Sequence, residues 1–326
     1  YFLSAIPYKI FYSGSLLTRV FASRFASLVL STLTVLVSYL IAGEIFSGGL
    51  LKLSLAFLVA FQPMFSFVSA GVNSDNLFNL IFSLILYACL KIFFPKKARS
   101  FWKDIAFTSL LIISSIIGLY TKKQIFIALP IIFSAFLLSF LIKKKKRKKQ
   151  SFFILGLLLA FFLIFNKGKI KIPEYNPNAT SKLKETFFQY IFWHFKHTIS
   201  ETIPWYWGVF NWLGKTLPRW VLRIQARMLI LSAVGFLVYL FKQIKKKALF
   251  NNKNLKIFFL LAAAVIYYFA IITWDFFFHQ GHSFSFGIQG RYFFPTIASH
   301  MLFIILGLFT LIPKKFKFIG LKVFLY

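Results

Sequence analysis

Asp75 is the residue of this sequence best placed to do chemistry, because it is one of only seven acidic residues and stands in a short polar turn between two apolar runs. The turn reads Val72-Asn-Ser-Asp-Asn76, and Gln62-Pro63 precedes it. Asp75 or its neighbour Asn73 could simply cap the next helix. A carboxylate at a membrane surface can also act as a base, a metal ligand or an acceptor for sugar hydroxyls. The sequence leaves both interpretations open.

Four basic residues are candidates for binding a phosphate group on the same side as Asp75. Arginine supplies a bidentate fork and lysine a point charge. For the lysines the alternative is interfacial anchoring by snorkelling, whereas an arginine near the end of an apolar run is expensive to place passively. The candidates are Lys122 and Lys123 in Tyr120-Thr-Lys-Lys-Gln124, Arg291 in Gln289-Gly-Arg-Tyr-Phe-Phe-Pro295, and Arg24.

Histidines and aromatic residues give weaker signals. The pairs His194/His197 and His279/His282, the second close to Asp275, have the spacing of one helix face, but two ligands do not make a metal site. The metal is therefore undetermined, and Mg²⁺ or Mn²⁺ on carboxylates is the form that a cofactor would take. A cluster of aromatic and amide side chains predicts interfacial anchors or a surface for stacking sugar rings: Trp205, Trp207, Asn211 and Trp212.

The elements that position these residues are membrane helices. Of 326 residues, 59% are hydrophobic and only 14% are charged. The net charge of +32 lies in tufts between apolar runs and not along one solvated face, which disfavours nucleic acid as a partner. Apolar runs long enough to cross a bilayer predict an all-α, polytopic membrane bundle. About nine spans are expected, near 22–43, 50–70, 77–94, 104–120, 125–142, 151–165, 228–241, 255–273 and 292–312.

Basic residues also predict the orientation of the bundle. The loops that follow alternate spans contain 21 Lys and Arg residues, whereas the short loops opposite contain five. Positively charged loops stay in the cytoplasm. Asp75 and the candidate basic residues are therefore expected on the extracytoplasmic face of the plasma membrane.

Three regions follow: an N-terminal membrane module (1–165), an outer loop (166–227) and C-terminal membrane helices (228–326). Within the outer loop, apolar residues recur every four positions from Leu183 to Ile199, which predicts an amphipathic helix lying in the membrane interface. Tyr1 to Arg19 is expected to be a loop, and the chain looks truncated at its start. The single cysteine, Cys89, lies in an apolar run and forms no disulfide framework.

Several segments together resemble a known group of enzymes. Arg24 to Tyr39 is similar to the second membrane helix of the GT-C superfamily, glycosyltransferases that use polyprenyl-phosphate-linked sugars. Pro63-Met-Phe, Asn73-Ser-Asp75, Trp207-Gly-Val-Phe-Asn-Trp212 and Gln289-Gly-Arg-Tyr-Phe-Phe-Pro295 resemble one subgroup, the domain-of-unknown-function family 2142. The resemblance extends over nearly the whole chain.

This resemblance implies an activity and roles for residues. It implies transfer of a sugar from a polyprenyl-phosphate donor to a glycan, lipid or protein acceptor, with the general base in a first outer loop that would precede Tyr1. Asp75 would be the second-loop acid, and Lys122 or Lys123 with Arg291 would bind the lipid phosphate. Ser74 stands where many relatives have proline. A transporter or flippase of lipid-linked sugars, or a noncatalytic membrane partner, is the alternative.

Overall fold

The computed structural model describes residues 2–95, 100–141, 156, 187–210, 214–282 and 284–313. Helices dominate these ranges, and the only strands in them are a two-residue antiparallel pair, β1 (Val209–Phe210) and β2 (Lys215–Thr216). The helices are α1 (Phe2–Ile10), α2 (Leu16–Ile45), α3 (Gly49–Ala60), α4 (Pro63–Ser69), α5 (Ser74–Phe93), α6 (Phe101–Thr121), α7 (Ala128–Ser139), α8 (Phe187–His197), α9 (Ile203–Trp207), α10 (Arg219–Lys245), α11 (Asn252–His282) and α12 (Ile297–Leu311).

The prediction of an all-α polytopic membrane bundle is confirmed. Six segments of the described chain are long and apolar enough to cross a membrane, and α3 with α4 would make a seventh span. The six are Leu16–Ile45, Ser74–Phe93, Phe101–Thr121, Arg219–Lys245, Asn252–His282 and Gly290–Leu311. The predicted span at 125–142 is a shorter apolar helix, Lys123–Ser139, and the one at 151–165 lies outside the described residues, apart from residue 156.

Two predictions about local structure are wrong. The span expected at 50–70 is not one straight helix, because α3 and α4 meet at an angle of 63°. The break falls at Gln62 and Pro63, where proline at the first position of α4 cannot continue the backbone hydrogen bonding of α3. The stretch from Tyr1 to Arg19 is not a loop either. It contains α1 and the start of α2, and the Arg19 guanidinium lies over the rings of Tyr8 and Tyr12.

The two ends of the bundle are marked by charged clusters. Helix α5 runs from Asp75, at what we call the Asp75 end, to Lys91 at the opposite Glu44 end. At the Glu44 end, the Glu44 carboxylate lies 2.5 Å from Lys91 Nζ and 2.6 Å from Lys256 Nζ. This Glu44 cluster (Glu44, Lys91 and Lys256) ties together α2, α5 and α11. This cluster was not predicted from the sequence, although an acidic residue between apolar runs is a signal that it needs a partner.

Helices α10 and α12 run parallel and touch through their backbones. A Cβ atom added to Gly235 would lie 2.0 Å from the Gly307 carbonyl oxygen, and one added to Gly307 would lie 2.1 Å from the Ser232 carbonyl oxygen. The Ser232 hydroxyl also donates to the Ile304 carbonyl at 3.5 Å. Small residues at such a crossing permit close packing of membrane helices. Since α12 begins at the Asp75 end, the N-terminus of α10 lies at that end too.

Gly235→Ala is expected to destabilise the protein by about 2 kcal/mol, because the added methyl group must push two backbones apart. Thermal unfolding in detergent, followed by circular dichroism, measures the loss. Gly43→Ala is the matched control, since a Cβ there meets nothing within 4 Å. It should be neutral or slightly stabilising, as alanine is the better helix former. Equal unfolding temperatures for the two variants would contradict the close crossing.

Candidate functional site

Asn73, and not Asp75, caps the helix that follows the polar turn. The Asn73 side-chain oxygen accepts a hydrogen bond from the Asp75 backbone N–H at 2.9 Å, and Asn73 has the extended backbone of an N-cap residue. The Asp75 carboxylate is thus left for other contacts. It sits in the first turn of α5, where the helix dipole stabilises a negative charge.

Asp75, Lys122 and Arg291 come together from three separate elements, and we call them the Asp75 cluster. The Lys122 ammonium donates to Asp75 Oδ1, and Arg291 Nε lies 4.0 Å from Oδ2. Asp75 is only 6% exposed. Arg291 Nε is buried and has no hydrogen-bond partner in the described part of the chain. One carboxylate facing two cations leaves the cluster with a net positive charge.

Two glycines position the cations. Lys122 follows the last residue of α6 and adopts an extended conformation before the 3₁₀ turn Lys123–Ile127. The turn folds back onto α6 because Gly118 has no side chain, and a Cβ atom there would lie 2.5 Å from Ile125 Cδ1. Arg291 lies in the 3₁₀ turn Gly290–Thr296. A Cβ on Gly290 would lie 2.1 Å from the Tyr206 backbone nitrogen, so α9 packs directly against this turn.

The side-chain amides of Gln62 and Asn76, for which no role was predicted from the sequence, connect the segments around Asp75. The Gln62 side chain accepts a hydrogen bond from Phe65 N–H and donates one to the Tyr206 carbonyl, which joins the α3–α4 break to α9. The Asn76 amide donates to the carbonyls of Val68 and Gly71, each at 3.2 Å. A Gln-Pro pair ahead of a helix predicts that Gln62 caps α4, but it does not predict the hydrogen bond to Tyr206.

The other predicted site residues are not joined to the Asp75 cluster by the contacts of the described residues. Lys123 and Arg24 are exposed and form no hydrogen bond or ion pair with described residues. Trp207 is 7% exposed, so its ring is not an open stacking surface, whereas Trp205 is half-buried with its ring nearly perpendicular to that of His197. Asn211 and Trp212 lie outside the described residues. The roles assigned to these side chains stay predictions.

Helix α8 covers residues 187–197 of the segment predicted to be an amphipathic interfacial helix, while 183–186 lie outside the described residues. The face that it turns toward the protein is polar: Tyr190 and His194 are buried. Its apolar side chains point outward, with Phe188 82% and Phe192 80% exposed. They form a shallow groove of about 470 Å³ with Gln189, Trp193 and Lys196. The outward apolar face fits a helix in the membrane interface.

Hydrogen bonds to Asp275 connect the buried face of α8 to α11. This carboxylate accepts hydrogen bonds from Tyr190 Oη at 2.6 Å, Ser285 Oγ at 2.8 Å and Phe286 N–H at 2.8 Å. His194 Nε2 lies 3.6 Å from it. Asp275 is fully buried, so these donors replace the water that a carboxylate requires. The sequence places Asp275 near His279 and His282, whereas its hydrogen-bond donors in the structure are Tyr190, Ser285 and Phe286.

No group of three or more His, Cys, Asp or Glu side chains in the described ranges could hold a metal ion. Burial lowers the pKa of His197 below its usual value, although the Glu201 carboxylate, 3.6 Å away, opposes this shift. Burial also raises the pKa of Tyr206, whose hydroxyl therefore stays protonated beside His300 at 3.1 Å. The Tyr206–His300 contact joins α9 to α12, whereas the His197–Glu201 pair is local to the end of α8.

Asp275→Ala is expected to release α8 from the bundle, because the substitution strips three donors of their acceptor. Losing a buried charged acceptor typically costs about 3 kcal/mol, which corresponds to amide exchange in α8 faster by roughly two orders of magnitude. Hydrogen–deuterium exchange by mass spectrometry measures the change. Peptides from α5 serve as the internal control and should exchange as in the wild type. Unchanged protection of α8 would contradict the fastening role.

The helices and the buried ion pairs between them define an integral, multi-pass membrane protein with a polar cluster at one end of its bundle. Residues 5–299 match the family of predicted membrane proteins designated domain of unknown function 2142 (DUF2142), and the chain belongs to this family. No curated protein matches the chain, and neither does any solved structure.

Proposed function

We propose that the protein is a membrane glycosyltransferase of the GT-C type, which moves a sugar from a polyprenyl-phosphate donor to an acceptor hydroxyl at the extracytoplasmic face of the plasma membrane. The observation that carries this proposal is the convergence of Asp75, Lys122 and Arg291 from three distant segments onto one spot. A polar cluster of this kind is costly in a membrane protein unless it serves a function.

The charge balance supports a phosphate ligand. Lys122 is already neutralised by Asp75, whereas the Arg291 guanidinium is 4.0 Å away and its Nε has no hydrogen-bond partner among the described residues. When the acceptor oxygen attacks the anomeric carbon, the bond from that carbon to the phosphate oxygen breaks and negative charge grows on the lipid phosphate. Fixed cations in a partly dehydrated site stabilise that charge. Asp75 then orients the acceptor hydroxyl, a role that its two cationic neighbours favour over holding a divalent cation.

Two further features support a lipid-linked donor. The groove on α8 is apolar, with the Lys196 side chain beside it, which suits the entry of an isoprenoid chain from the bilayer. Trp205 is half-buried on the short helix that packs against the Arg291 turn, where an aromatic ring could stack on a sugar. The general base is expected from the first outer loop that the GT-C resemblance implies.

Arg291→Gln in the full-length protein tests the phosphate role. We expect its affinity for polyprenyl phosphate to fall by at least about ten-fold, since a charge-assisted contact to phosphate contributes roughly 1.5 to 3 kcal/mol. Equilibrium binding to radiolabelled polyprenyl phosphate in detergent gives the affinity. Lys9→Gln is the control, because Lys9 is an exposed cation in α1 that does not belong to the Asp75 cluster. Equal affinity of the Arg291 variant and the wild type would remove Arg291 from phosphate binding.

A further inference from the structure

Three arginines stand one turn apart at the start of α10 and have no acidic partner among the residues that the structure describes. Arg219, Arg223 and Arg227 are all exposed, and none of them forms an ion pair with a carboxylate in the described part of the chain. Residues four apart lie on one helix face, so the three guanidinium groups form a row about 12 Å long. We call these residues the arginine row.

The row faces away from the protein. Helix α10 packs on α12 through Ser232 and Gly235. Arg223 is nine residues before Ser232, which is about two and a half turns and hence the opposite side of the helix. The side chains of this face farther along α10 are apolar and exposed, among them Ile230 (64%), Leu237 (64%) and Phe241 (57%). Such an apolar stripe on a membrane span contacts lipid tails.

The position of the row along α10 places it at the height of lipid headgroups. Arg227 and Lys245 are separated by 18 residues, about 27 Å of helix, which is close to the thickness of a bilayer's hydrocarbon core. If the apolar stripe between them fills that core, Arg227 lies at its edge and Arg223 and Arg219 follow outward. Trp220, which is 65% exposed, lies between Arg219 and Arg223 in the sequence, and tryptophan is common at membrane interfaces.

We propose that the arginine row binds the phosphate groups of anionic phospholipids in the leaflet at the Asp75 end. Guanidinium groups match phosphate oxygens bidentately, and three of them with no carboxylate partner in the described ranges attract negative charge. The phosphate groups of lipid headgroups are the anions that a bilayer supplies at this level, beside a helix face that contacts lipid. This binding is independent of the sugar-transfer proposal, since the row shares no residue with the Asp75 cluster.

A fluorescent probe beside the row tests the proposal. Ile224→Cys, 54% exposed, carries an environment-sensitive label next to Arg223, and Ile244→Cys, 57% exposed, carries it at the other end of α10. The native Cys89 is fully buried and should not react. Phosphatidylglycerol and phosphatidylcholine are titrated separately into the labelled protein in detergent. The triple variant Arg219→Gln, Arg223→Gln, Arg227→Gln is compared with the wild type at both positions.

The label at position 224 should respond to phosphatidylglycerol at a concentration at least about ten-fold lower than to phosphatidylcholine, because each arginine near a lipid surface contributes about a five-fold preference. The triple variant should lose that preference at 224 and keep the wild-type response at 244, which also shows that it is folded. An equal response to both lipids, or an unchanged triple variant, would overturn the proposal. So would full displacement of the lipid by inorganic phosphate at equal phosphate concentration, which would indicate a free-phosphate site.

Discussion

Sugar transfer by an Asp75→Asn variant is expected to fall by at least about a hundred-fold, since a misplaced acceptor costs that much. Asparagine keeps the size of the side chain but carries no charge, so it cannot form the ion pair with Lys122. The same change leaves Lys122 and Arg291 without a compensating carboxylate. Binding of polyprenyl phosphate should therefore stay the same or tighten while turnover collapses.

This split between binding and turnover distinguishes the proposed role from simple unfolding, which would lower both. Radiolabelled sugar transfer in membranes that contain the full-length protein and donor lipid gives the turnover, and equilibrium binding gives the affinity. Glu201→Gln is the matched control, because Glu201 is a partly exposed carboxylate outside the cluster, paired with His197 at 3.6 Å. Unchanged turnover of Asp75→Asn would remove Asp75 from the mechanism, whereas joint loss of binding and turnover would assign it a structural role.

The second large effect is expected at the opposite end of the bundle. Glu44→Gln should destabilise the protein by about 3 to 5 kcal/mol, the usual cost of removing one partner from a buried ion pair. Lys256 is 1% exposed, and its ammonium group would lose the carboxylate that it contacts at 2.6 Å. Lys91, with a quarter of its side chain exposed, can turn toward water and suffers less. The loss of stability should therefore come chiefly from Lys256.

A double variant tests this assignment. Adding Lys256→Met to Glu44→Gln also removes the buried ammonium charge and should restore most of the lost stability, since uncharged replacement of a whole buried pair is often nearly neutral. Thermal unfolding of the purified protein in detergent compares the wild type with the single and double variants. The exposed-pair variant Glu201→Gln should change stability by less than about 1 kcal/mol. Strictly additive losses from Glu44→Gln and Lys256→Met would contradict a coupled pair.

Much of the architecture could be predicted from the sequence because membrane helices follow a local rule. A run of apolar residues about as long as the bilayer is thick must form a helix, whatever it packs against. The predicted spans at 22–43, 77–94, 104–120, 228–241, 255–273 and 292–312 accordingly lie within or overlap the observed candidates. The rule failed at Gln62-Pro63, where the apolar run continues but the backbone bends, and at α1, which is too short to cross.

The candidate site likewise has features that the sequence predicts and features that depend on the fold. The amino-acid sequence alone identifies which residues carry charge in an apolar chain, and Asp75, Lys122 and Arg291 are therefore predicted as candidates for function. The three-dimensional fold was needed to show that these three meet, because Lys122 and Arg291 reach Asp75 through the close contacts at Gly118 and Gly290. It also decided that Asn73 is the cap, and that Glu44 and Asp275 are held by residues far away in sequence. Pairings of this kind depend on distances between segments, which no periodicity or local propensity contains.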